Sequence, residues 1–137
     1  MHKSILVTDN TGRPGDLVEE GERLLRKLEE KSFPISAAFL RYIDEEGLLR
    51  LVIVSPFVGQ EGPLKTYGYI RNAVDELGDS VHFGLGDISV MSPSWSQFRD
   101  LRRTLEGEGG SRLGVRGAGR WLDEDFYLYR WNPDLNG

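Results

Sequence analysis

Arginines and aromatic residues alternate through the C-terminal third of this chain. Arg112, Arg116, Arg120 and Arg130 interleave with Trp121, Phe126, Tyr127, Tyr129 and Trp131. Binders of single-stranded nucleic acid combine arginines on the backbone with rings on which bases stack. Protein interfaces are enriched in the same residue types, because Trp, Tyr and Arg bring large, partly polar contact area. If 126–131 is a strand, Phe126 and Leu128 face one side, and Tyr127, Tyr129 and Trp131 face the other. Residues 91–137 hold seven arginines against seven acidic residues, three of them in the turn Asp123-Glu124-Asp125. That balance gives no net attraction for a polyanion, so a packed or protein-binding hairpin is the stronger expectation.

Three more arginines, Arg99, Arg102 and Arg103, lie together on one predicted helix. With Arg112, Arg116 and Arg120 they are the candidates for binding an anion, since the guanidinium fork suits phosphate or carboxylate. Asp100, Glu106 and Glu108 lie beside them, so a solvated, salt-bridged surface is expected there. The loop Gly107-Glu108-Gly109-Gly110-Ser111-Arg112 could hold an anion on its backbone amides. It lacks the Lys-Ser/Thr of a phosphate-binding loop and the strand–helix setting of a dinucleotide site, so it is expected to be a connector.

Acid–base chemistry has one candidate pair, His82 and Asp87, in a pocket that would suit a small hydrolase. Five residues apart, they fall on opposite faces of a regular strand unless a bulge intervenes. His2 and His82 are the only histidines, and there is no cysteine. Disulfides, cysteine nucleophiles and Cys- or two-His metal sites are thereby excluded, and neither a metal nor a cofactor is expected. With no converging catalytic set, a non-enzymatic role is favoured.

The positioning elements come from periodicity. Leu17, Val18, Gly21, Leu24, Leu25 and Leu28 form a helical stripe after Asp16, with Glu19 three residues on, which predicts a helix over about 16–31, ended before Pro34. Residues 35–43 and 48–55 predict a hairpin around Asp44-Glu45-Glu46-Gly47. Both strands are apolar on both faces, as in the middle of a sheet. Pro56 is expected to end the second strand. Gly62-Pro63 opens a helix carrying Leu64, Tyr67, Ile70, Val74 and Leu77, closed at Gly78. Residues 81–90 predict a strand whose phase slips at Gly84 and Gly86. A short helix with Trp95, Phe98, Leu101 and Leu105 inward follows, and then two extended runs, about 111–122 and 126–131. Ser4–Thr8 could be a further strand, and 1–15 a mobile arm.

Phe33-Pro34-Ile35-Ser36-Ala37-Ala38, then Arg50-Leu51-Val52-Ile53-Val54-Ser55-Pro56, then Gly62-Pro63 with Tyr67, make a recognisable series. Over about residues 20–77 the chain resembles a family of small uncharacterised bacterial proteins with an FPxSAA strand, an RLVIVSP strand and a GP-started helix. The resemblance implies a bacterial, cytosolic origin and supplies no catalytic residues.

The expected architecture is thus a single α+β domain in the order (β)αββαβαββ. A mixed or antiparallel sheet of about five strands carries two or three helices on one face. The other face, partly open, invites a protein partner or a second copy. The chain has 137 residues, 28% charged, with a net charge of −5. These values fit one soluble domain. The longest apolar runs, about six residues, fall far below the roughly 20 of a membrane span, and no signal-peptide pattern follows Met1. A cytoplasmic protein without a membrane partner is expected.

Overall fold

Alternation and helical stripes resolve, in a computed structural model, into five strands and four α-helices among the described residues. The structure describes residues 14–43, 48–106, 118–123 and 125–134. The possible strand Ser4–Thr8, most of the proposed arm, the first hairpin turn and the glycine loop lie outside those residues.

In chain order the elements are α1 (Pro14–Glu30), β1 (Ala37–Ile43), β2 (Leu48–Val54), α2 (Pro56–Glu61), α3 (Pro63–Leu77), β3 (Ile88–Met91), α4 (Ser96–Glu106), β4 (Arg120–Asp123) and β5 (Phe126–Trp131). The sheet order is β3-β2-β1-β5-β4. Only β2 and β3 run parallel, joined by the crossover that carries α2 and α3. The β1–β2, β1–β5 and β4–β5 pairs are antiparallel. This is the expected α+β domain with a mixed five-stranded sheet.

The two-faced apolar strands are explained by helices on both sides. On one face, Ala38, Leu40, Leu49, Leu51 and Ile53 meet Leu17, Leu24, Leu25 and Leu28 of α1, Val58 of α2, and Ile70 and Ala73 of α3. On the other, Ala37, Phe39, Val52, Val54, Leu128 and Trp131 surround Phe98 of α4, with Leu101 and Leu105 beside it. Three helices therefore share one face as expected, and the face expected to be open is covered in part by α4.

Several elements depart from the sequence reading: of the run expected over about 111–122, the described residues are strand only from Arg120, and Leu64 and Trp95, expected on apolar helix faces, are exposed. Pro56 ends β2 but also starts α2. Ser55 takes an extended conformation and its hydroxyl accepts the Phe57 N–H at 3.0 Å, an N-cap followed by proline at the first helical position. Over 81–91 only Ile88–Met91 is strand, and Leu85–Asp87 form a 3₁₀ turn. Val81 and Phe83 are nonetheless buried in the α1-side core, so their alternation reports burial without a ladder.

The end of α1 is built by Ser32. Its φ of 66° is left-handed, and Phe33 N–H reaches back to Leu28 C=O at 2.9 Å. The buried Phe33 thereby closes the helix in a Schellman arrangement without the usual glycine.

Candidate functional site

The C-terminal hairpin is shaped by a bulge. β1 pairs Ala38 with Arg130 but Phe39 with Leu128, so Tyr129 is an extra residue in β5. An extra residue resets the alternation beyond it. Tyr127, Tyr129 and Arg130 consequently all turn toward α1, while Phe126, Leu128 and Trp131 belong to the α4 side. Trp131 was expected beside Tyr127 and Tyr129. The bulge moves it to the opposite face, where it is buried against Phe98 with ring centroids 5.7 Å apart.

Of the five candidate interface residues, three are packing residues. Trp131 and Tyr129 are buried, and the half-buried Phe126 stacks on Phe39 at 4.7 Å. The other two face outward. Trp121 is 40% exposed on β4, one of the two edge strands of the described sheet. Its ring meets the half-buried Tyr127 edge to face at 5.4 Å, and Tyr127 meets Tyr129 the same way at 4.9 Å. The three rings thus form a ladder from the sheet edge into the core.

The inner end of the ladder is anchored to α1. The Tyr129 hydroxyl donates to Val18 C=O at 2.8 Å, directly over Gly21. Burial, followed by the charges of Tyr127, Glu22 and Glu20, holds its phenol well above the usual tyrosine range. Arg130 grips α1 through two carboxylates two helical turns apart. It donates to Glu22 at 2.8 and 2.9 Å and to Glu29 at 3.0 and 3.1 Å. These hydrogen bonds, Glu22's first, keep the Arg130 guanidinium charged beyond even its ordinary range, against the opposing effect of burial. Burial pushes the Glu22 carboxyl up, but Arg130 and Arg26 outweigh it and hold the group below its ordinary value. Sequence reasoning placed Arg130 among the basic-aromatic residues. The bulge is what aims it at α1.

The remaining arginine candidates are occupied locally. Arg99 donates to Ser94 C=O at 2.7 Å, and Arg103 to Asp100 at 3.1 Å. Arg102 bonds Glu106 at 3.2 Å and Asp134 at 3.0 Å; burial opposes its charge, but the two carboxylates raise its pKa. Beside it an open hollow of about 380 Å³ is lined by Pro93, Ser94, Arg102, Pro133 and Asp134. Arg120 is exposed at the start of β4. Arg112 and Arg116 lie outside the described residues.

His82 has a partner, and it is not Asp87. The buried Glu20 of α1 accepts the His82 backbone N–H at 2.6 Å and faces Nδ1 at 2.7 Å. Asp87 accepts the Gly84 N–H at 3.0 Å, which is a local turn contact. The irregular course of 81–84 is what lets both His82 groups reach one carboxylate. Glu20 was missed because its partner lies 62 residues away in sequence. The one available signal was its place beside Leu17 and Leu24 on the apolar stripe.

Among the described residues no group of three or more His, Asp or Glu side chains could hold a metal ion, and no helix is long and apolar enough to cross a membrane. No protein-family model matches this chain, and no curated protein or solved structure matches it either. The resemblance over residues 20–77 accordingly gains no support from these comparisons.

Proposed function

We infer that this domain is a non-enzymatic interaction module that docks a protein surface, a second copy or another chain, on its C-terminal hairpin. The observation that carries this reading is Trp121. A tryptophan 40% exposed on an edge strand, backed by Tyr127 and anchored through Tyr129 to α1, is a rigid aromatic anchor presented to solvent. Such anchors contribute most of the affinity of protein interfaces, and a pre-ordered anchor loses little entropy on binding. Arg130 is engaged by Glu22 and Glu29, so it is not presented beside Trp121 as a cation for a nucleic-acid backbone, which favours a protein surface over a single strand.

The test compares Trp121→Ala with wild type in sedimentation velocity and in recovery of partners from the source cells. Docking at the hairpin predicts loss of association with little change in melting temperature, because the side chain is half in solvent. Equal association by both proteins would contradict it.

A further inference from the structure

We propose that Nε2 of His82 is a phosphoryl-accepting nucleophile, positioned by Glu20, with Arg23 of α1 held against the same stretch of chain. The Glu20 side chain is 7% exposed, whereas the His82 side chain is 49% exposed. A buried carboxylate that serves an exposed imidazole fixes which nitrogen faces outward. One Glu20 oxygen accepts the His82 backbone N–H and the other faces Nδ1, so in the neutral ring the proton sits on Nδ1 and the lone pair on Nε2. A third group orienting an imidazole in this way is the arrangement by which histidine nucleophiles and bases are held ready.

The surroundings suit a phosphoryl group. Glu20, Arg23, Lys27 and Glu30 follow one another at i, i+3, i+7 and i+10, one stripe of α1. Arg23 donates to Ser80 C=O at 2.8 Å, two residues before His82, so the guanidinium lies against the same stretch of chain. Arg23 also lines, with Arg26, Lys27, Glu30 and Leu77, an open groove of about 230 Å³ whose lining includes neither His82 nor Glu20, and Lys27 there is paired with Glu76 at 3.4 Å. Arg23 is exposed, and its ion pair to Glu19 is long, at 3.9 Å, so phosphate oxygens can compete for it.

The step balances with a small nitrogen-linked phosphoryl donor such as phosphoramidate. The Nε2 lone pair attacks phosphorus as the donor's P–N bond breaks. In the zwitterionic donor the nitrogen is already protonated, so ammonia leaves with the bonding pair and no further proton is needed. The ring retains its Nδ1 proton, and its new positive charge faces Glu20.

The experiment incubates the full-length protein with phosphoramidate and follows acid-labile mass on each histidine peptide, with His2 as the internal reference. The proposal predicts one phosphoryl group on His82 and none there in His82→Ala. Glu20→Gln should label about tenfold more slowly, because an amide has one acceptor atom where the carboxylate uses two, so the backbone N–H and Nδ1–H no longer each have an oxygen of their own. A ¹⁵N spectrum reads the positioning role separately, and neutral His82 should be protonated at Nδ1 and bare at Nε2. Equal labelling of His2 and His82, or wild-type labelling by a folded Glu20→Gln protein, would overturn the proposal. Should Glu20→Gln fail to fold, neutral wild-type His82 protonated at Nε2 would overturn it equally.

Discussion

The Tyr129 phenol lies over Gly21 so closely that a Cβ on residue 21 would overlap its hydroxyl. The contact joins the last strand to the first helix, 108 positions apart in sequence, and carries the hydrogen bond to Val18 C=O. Gly21 lies inside a helix, where glycine costs about 1 kcal/mol relative to alanine. Here the cost is outweighed by the approach it permits. Gly21→Ala is therefore expected to destabilise the protein by about 1–3 kcal/mol, as overpacked cores do. In a Tyr129→Phe background the oxygen at the closest approach is gone and the ring carbon behind it still crowds the site, so the same substitution should cost less without becoming neutral. A double-mutant cycle by urea denaturation checks the coupling.

Much of this arrangement was legible in the sequence, and the part that was not has a physical cause. The stripe of α1, the β1–β2 hairpin and the start of α3 are local patterns, and each lies where it was expected. The Tyr129 bulge is set by how β5 docks against β1, a long-range pairing with no local signature. It carried Trp131 into the α4-side core and turned Arg130 toward α1. The Glu20–His82 pair escaped for the same reason, since its two members are 62 residues apart. Trp121 was named with the other hairpin aromatics, but its exposure depends on β4 being an edge strand, which only the topology reveals.

Arg130 gives the protein an acid sensitivity of defined sign. Glu22 is held below its ordinary value of 4.5. A carboxyl whose folded value is depressed stabilises the fold above the unfolded value, and loses that stabilisation as pH falls through the folded value. Wild-type stability should thus decline as pH drops below about 4.5. Arg130→Met should cost about 1–3 kcal/mol at pH 7, between the values for exposed and buried pairs. It should also flatten the acid limb of a stability–pH curve measured by chemical denaturation.

Burial holds the Tyr129 phenol neutral beyond the usual range. For a raised group the stabilisation is complete below the unfolded value, near pH 10, and is lost as pH rises above it. In an absorbance titration at alkaline pH, Tyr129 should ionise only with unfolding. Tyr129→Phe should remove that cooperative step while leaving the ionisation of the other tyrosines.

Ser32 holds a left-handed conformation that favours glycine. It is exposed, so replacement removes no packing. Ser32→Gly is expected to stabilise the protein by about 0.5–1 kcal/mol through the relieved backbone. Thermal denaturation would register this as a rise of several degrees in a domain of this size, whereas Ser32→Val should lower the midpoint.

The interaction-module account rests most directly on the assembled mass of the protein, measured by native mass spectrometry after gentle purification from its source. The account predicts multiples of 15.5 kDa, or an added protein mass, in the wild type, and the free chain alone in Trp121→Ala. A wild-type spectrum showing only the bare monomer at every concentration would contradict it, as would an assembly that survives the loss of Trp121.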